Sequence, residues 1–306
     1  MSLPARLTPV RLVAGAGAAL VAAALAGCAP ADSGSSSSSS TTAAAGASAS
    51  ASPSATCSKD QLKTRAAGKL TVATDKPVFE PWFKDDKPES GQGFESAVAY
   101  AVADKLGYAK GDVTWTRASF DSVTQPGPKP FDFDINEVSI TDKRKQAVDF
   151  SSGYYDVTQA IITTKGSKIA NAKGIADLKN AKIGAQVGTT SLDTIKNVIK
   201  PSGDPAVFNT NDDAVKALGN GQIDGLVVDL PTAFYITGSG QVKDSSIVGQ
   251  FANAGGTPEQ FGLVLDKGSS LTSCVSQAVD ALRSDGTLTK LEQQWLSQSA
   301  GAPVLS

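Results

Sequence analysis

The segment Ser139-Ile140-Thr141-Asp142-Lys143-Arg144 sets a hydroxyl and a guanidinium between two apolar, strand-like runs. A guanidinium is planar, always charged and donates two parallel hydrogen bonds, which suits a carboxylate. On residue types alone the segment is equally a solvated turn, because Asp142, Lys143 and Lys145 surround Arg144. A second stretch, Val187-Gly188-Thr189-Thr190-Ser191, sits between a strand-like and a helix-like run. Thr189 and Thr190 then fall at a helix N-terminus, where free N–H groups and the positive dipole end favour an anion. Simple capping by threonine is the alternative. Asp229 closes the apolar run Ile223–Asp229, just ahead of Pro231. A carboxylate at the C-terminal mouth of a buried strand is where open α/β sheets bind ligands; an acidic N-cap is the alternative. The chain has no histidine, and its one methionine is Met1. That excludes imidazole metal sites, Ser-His-Asp triads and histidine acid–base chemistry, so neither metal nor cofactor is expected.

The elements that must position these groups alternate along the chain. Lys69–Thr74 reads as a strand, and Phe94–Gly107 carries Phe94, Ala97, Val98, Ala101, Val102 and Leu106 at helical spacing. Val113–Thr116 and Phe131–Ile135 are short strands separated by the breaker-rich QPGPKP, and Ala160–Thr164 is another. A second cycle follows: strand Lys182–Gln186, helix Thr189–Lys200, strand Ala206–Phe208, helix Asp212–Leu218 and strand Ile223–Asp229. Pro231 is expected at the first position of the next helix. Gln260–Leu265 is a late strand, and Leu271–Leu282 and Leu288–Leu296 are terminal helices. This alternation predicts an α/β fold with mainly parallel sheets.

Arg6 and Arg11 precede an apolar, Ala-rich run that ends in Leu25-Ala26-Gly27-Cys28. That pattern predicts a secretory signal over residues 1–27. Its last four residues resemble a bacterial lipobox, which implies cleavage before Cys28 and diacylglycerol on its sulfur. Residues 28–56, rich in Ser and Ala, lack the apolar side chains to offset chain entropy and read as a flexible tether. The net charge of −2 gives no basic field for nucleic acid. Cys57 and Cys274 remain, and an even remainder in an exported chain suggests a disulfide. Cys274 also lies on an apolar helical face, so simple burial is the competing expectation.

Four blocks in this order, GFESAVAYAVADKLGY, FDFDINEVSITDKRKQAVDFSSGYY, IGAQVGTTS and DGLVVDLPTAFY, resemble family 3 of the extracellular solute-binding proteins. These are amino-acid receptors of ABC importers with a periplasmic-binding-protein type II fold. The resemblance implies two lobes joined by two crossover strands, lobe 1 being 57–155 with 258–306 and lobe 2 being 156–257. It implies a monomer, a free amino acid in the cleft, a membrane permease as partner and a lipid anchor on the outer face of the cell membrane. Arg144, with Ser139, Thr189 and Thr190, would take the ligand α-carboxylate, and Asp229 its α-ammonium. Asp75, Phe79, Phe120, Glu137 and Gln186 would face the ligand side chain, with Val78 or Trp82 as alternatives to Phe79. Glu137 stands where small residues are common in the family; with Asp75 it predicts a polar or cationic amino acid, because an aliphatic one would leave two carboxylates desolvated and unpaired. The chain departs from the family at Ala97, where a second acid is usual, and at QPGPKP. The alternatives are a sensor acting through a partner, or a dehydratase-like enzyme with Glu137 or Asp75 as general acid.

Overall fold

Leu70 and Val72 point to one side of the first strand and Ala73 to the other, and all three are fully buried. A strand covered on both faces is the unit of a three-layer α/β lobe. The computed structural model describes residues 57–252, 258–296 and 301–306; the expected leader, Cys28 and the tether up to residue 56 lie outside the described residues. The first half contains β1 (Leu70–Thr74), α1 (Phe94–Lys105), β2 (Val113–Arg117), α2 (Phe120–Thr124), β3 (Phe133–Asp134), α3 (Asp142–Lys145), β4 (Asp149–Val157) and β5 (Gln159–Thr164). Then come β6 (Ile183–Gln186), α4 (Thr190–Thr194), β7 (Ala206–Phe208), α5 (Asn211–Gly219), β8 (Gly225–Asp229) and α6 (Leu230–Gly238). The chain finishes with β9 (Ser245–Phe251), β10 (Glu259–Leu265), α7 (Thr272–Ser284), α8 (Thr287–Leu296) and β11 (Val304–Leu305).

The described residues form two sheets, one of five strands in the order β2-β1-β3-β10-β4 and one of six in the order β11-β9-β5-β8-β6-β7. The expected mainly parallel sheets are mixed. β1 runs parallel to β2 and β3, and β6 to β7 and β8, but β10 runs against β3 and β4, and β5 against β8 and β9. The antiparallel strands are those at the crossings between lobes. β4 in the first sheet passes into β5 in the second with Thr158 alone between them, and β10 of the first sheet follows β9 of the second. In the second sheet Leu226 and Val228 face one apolar cluster and Val227 the other, as the continuous apolar run of β8 requires.

Beyond shifts of a residue or two at strand ends, three differences from expectation stand out. The helix expected over Thr189–Lys200 is α-helical only to Thr194, continues as wider turns over Ile195–Ile199, and stops at Lys200 with φ +50°. Pro231 occupies the second position of α6, since that helix begins at Leu230. The end of the chain, expected in lobe 1, adds β11 to the edge of β9 in the second sheet. Leu305 is buried there beside Phe251, and the Gln250 N–H donates to Pro303 O at 2.8 Å. A side chain on Gly249 would come within 2.6 Å of Pro303 O, so the glycine is what lets this tail approach.

Cys57 and Cys274 form a disulfide with Cα atoms 5.4 Å apart, fastening the start of the folded body to α7. Cross-linking residues 217 positions apart restricts the unfolded chain. Replacing both cysteines by serine is expected to lower unfolding stability by about 2–4 kcal/mol in urea titrations. Ligand affinity should persist, because neither cysteine lines the cavity between the lobes.

Candidate functional site

The SITDKR segment folds into a cap and one turn of helix. Thr141 Oγ1 accepts the Arg144 N–H at 3.2 Å and so starts α3. The guanidinium then turns back, Nη1 donating to Ser139 O at 2.7 Å and Nη2 reaching across the cleft to Gly188 O at 3.0 Å. Its central carbon stands 5.1 Å from the centre of the Phe120 ring, a cation–π contact. Arg144 is 8% exposed, and none of the ion pairs among the described residues involves it. Burial lowers its proton affinity, while Glu259, Asp229 and Asp193 act from farther off to raise it. A buried guanidinium held by two carbonyls still has donors for a planar anion.

Facing it from the second lobe is the start of α4. Thr189 Oγ1 accepts the Leu192 N–H at 3.2 Å and donates to Gln186 O at 2.8 Å, so the threonine caps the helix. The Thr190 and Ser191 N–H groups belong to the first turn, which no carbonyl inside a helix reaches. Thr190 Oγ1 lies 3.4 Å from Ser139 Oγ, so the hydroxyls of the two lobes meet. Asp229 precedes α6, yet its side chain caps nothing there. It instead accepts a hydrogen bond from Gln159 Nε2 at 2.5 Å, because Gln159 is its register partner on β5. Burial first, and then the Glu259 charge, push the Asp229 carboxyl well above the usual carboxylate range; Gln159 and Arg144 pull it down.

These groups line one cavity of about 70 Å³ between the lobes. Asp75, Phe79, Phe120, Glu137, Ser139, Arg144, Gln186, Thr189, Thr190 and Asp229 all contribute to its wall, so the structure brings together every residue expected there. Of the alternatives to Phe79, Val78 also reaches the wall. Trp82 does not; it is fully buried in the lobe 1 core, and its indole N–H donates to Thr232 Oγ1 at 2.9 Å. Asp75 accepts N–H bonds from Lys76 at 2.7 Å and Phe120 at 3.2 Å, while burial raises its pKa. Glu137 adopts φ +53°, uncommon for a residue with a side chain. Its Oε2 accepts from Thr232 Oγ1 of the other lobe at 2.9 Å. Burial, then Glu95, then Asp229, push the Glu137 carboxyl well above its ordinary value.

The family model for bacterial extracellular solute-binding proteins, family 3, matches residues 70–298. The chain belongs to that family. The L-arginine-binding protein of Pseudomonas aeruginosa is 30% identical over 243 residues, covering 74% of this chain and 90% of that one. The glutamine-binding protein GlnH of an ABC transporter in Bacillus subtilis is 29% identical over 221 residues, covering 69% and 76%. Among solved structures, the arginine-, lysine-, histidine-binding protein ArtJ of Geobacillus stearothermophilus superposes with a TM-score of 0.63 at 26% identity, covering 75% and 95%. The two-lobed mixed α/β architecture is that of the family.

This solute-binding protein also uses residues that its motifs do not mark. Gln159, 4% exposed at the first position of β5, donates to Asp229, to Thr190 Oγ1 at 3.3 Å and to Glu259 Oε2 at 3.3 Å. It accepts from Ser191 Oγ at 2.6 Å. Glu259, the first residue of β10, also accepts from the Ser139 hydroxyl. Both sit where strands cross between lobes, so one network links the hinge to both sides of the cavity. Gln159 had one signal in the sequence, a polar residue opening the apolar run of β5. Glu259 and Thr232 had none, since their partners are about a hundred residues away.

Proposed function

We propose that this protein is the substrate-binding component of an ABC importer and that it captures a cationic amino acid between its lobes. The observation that carries this is the pairing across one cavity of a buried guanidinium with no ion-pair partner among the described residues, Arg144, and a carboxylate from the opposite lobe, Asp229. An α-carboxylate docks on Arg144 and the first-turn N–H groups of α4, with Ser139 beside it. The α-ammonium meets Asp229. The names of the matched relatives, arginine- and glutamine-binding proteins, support an amino acid as ligand. Asp75, Glu137, Phe120, Phe79 and Gln186 remain for the side chain. The two acids favour arginine or lysine, because desolvating them beside an apolar side chain leaves them unpaired.

Closure follows the differential contacts of the two states. A ligand that touches Arg144 on one lobe and Asp229 on the other stabilises the state in which both reach it. A membrane permease would then recognise the closed surface. In this proposal Cys28 carries the lipid, and the Ser/Ala-rich segment after it leashes the body to the outer face of the bacterial membrane. No helix among the described residues is long and apolar enough to cross a membrane.

Calorimetry against the twenty standard amino acids is the test. L-arginine or L-lysine is expected to bind tightest, with leucine, isoleucine and valine giving no heat. Binding by the aliphatic residues alone would overturn the cationic assignment. Turnover of prephenate or arogenate would replace a binding protein with an enzyme.

A further inference from the structure

Behind the cavity wall lies a set of acids that cannot touch the ligand. Glu95, in the first turn of α1, and Asp134, in β3, are both fully buried and neither lines the cavity. Glu95 Oε1 accepts the Glu137 N–H at 2.7 Å and the Tyr154 hydroxyl. Its Oε2, both oxygens of Asp134 and the Thr74 hydroxyl are buried with no hydrogen-bond partner among the described residues. Unpartnered carboxylate oxygens at such depth are costly if charged.

Glu95 does something specific for Glu137. A residue with a Cβ held at positive φ is strained and persists where its surroundings enforce it. The Glu95 oxygen on the Glu137 N–H is such a constraint. It leaves the Glu137 side chain on the cavity wall, tied to Thr232 of the other lobe.

The charges facing the pair are nearly all of one sign. Asp134 approaches Glu95 from β3, Tyr154 from β4, and Asp229 approaches Glu137 from the end of β8, while Thr232 of α6 offers a neutral hydroxyl. Asp75 adds to the field at Asp134. The cations within range act on the outer members, Lys129 on Asp134 and Arg144 on Asp229. Like charges crowded in low dielectric do not all ionise; they share protons. Burial pushes Glu95 up to about 7 even against the hydrogen bonds from Tyr154 and the Glu137 N–H.

We propose that Glu95 is a positioning residue for Glu137, and that the Glu95–Glu137 pair of the ligand-free protein holds a proton which the cationic tip of the ligand displaces. The step balances in atoms and charge. A carboxylic acid and a cation become a carboxylate–cation pair, and the proton leaves to buffer. Glu137 acquires the countercharge, and Glu95 keeps its backbone in place throughout. The inference rests on a cationic ligand, so its test separates the two ideas.

L-arginine binding is measured by calorimetry at pH 6 in phosphate and in Bis-Tris, both of which take up protons at that pH and whose ionisation enthalpies differ. About one proton per ligand should be released, and affinity should rise about tenfold per pH unit up to the pKa of the ligand-free pair, then level off. Glu95→Gln keeps an oxygen for the Glu137 N–H and the Tyr154 hydroxyl but removes the acid. It should move the release profile to lower pH while arginine still binds. A purely structural Glu95 would change affinity equally at every pH and leave the proton count alone, which would overturn the proposal. Tyr154→Phe, which removes a bond that favours ionised Glu95, should move the profile upward; a profile unmoved in both variants also overturns it. Heats that are equal in the two buffers refute the proton exchange and leave the cationic ligand standing. Failure of every cationic amino acid to bind refutes the functional proposal beneath it.

Discussion

Arg144→Ala is expected to weaken binding of the best amino acid by about 30-fold to several thousand-fold, the range for removing one partner of a buried, hydrogen-bonded charge pair. The guanidinium is held on three sides before any ligand arrives, by Ser139 O, Gly188 O and the Phe120 ring. That order lowers the entropy lost when an α-carboxylate docks. Arg144→Lys should recover little, because an ammonium cannot donate two parallel bonds from a fixed plane. Calorimetry of both variants, alongside thermal melts, separates binding from folding. Ser139 lines the cavity and Gly188 is exposed, so water can replace the guanidinium at the two freed carbonyls and the ligand-free melt should move by only a few degrees. Undiminished affinity in Arg144→Ala would remove the α-carboxylate role.

The sequence carried the jaws of this site better than the joint between them. Arg144, Ser139, Thr190 and Asp229 each stand at an element boundary marked by a change in apolar pattern, and all four meet at one cavity. What the pattern left open was the use of each hydroxyl and carboxylate. Thr189 caps its helix, as the plainer alternative held, whereas Asp229 caps nothing and faces Gln159 instead. That distinction depends on the β5–β8 register, which brings Gln159 opposite Asp229 across 70 positions. β4, β9 and β11 went unassigned, and their places too depend on partners far along the chain. β11 is two residues long, too short for any period to register, and its place depends on the bare edge at Gly249. Glu95 shows the reverse case. Its position in the helix was legible, but the backbone N–H it holds lies 42 residues away.

Glu137→Gln is expected to change which ligands bind rather than how well the cleft closes. The amide keeps an oxygen for Thr232 Oγ1, so the contact between lobes survives. A cationic side chain would lose a charge-assisted partner worth about 1.5–3 kcal/mol, a drop of about 10- to 150-fold for arginine or lysine. A neutral ligand such as glutamine would lose nothing and escape the desolvated carboxylate, so its affinity should hold or rise. Specificity is the difference between the two, and it moves more than either affinity. Paired calorimetric titrations with L-arginine and L-glutamine check it. Equal weakening of both would place Glu137 in closure alone. Loss for arginine only would place it at the ligand's cationic end, where burial and the acids behind it give a net positive side chain the advantage.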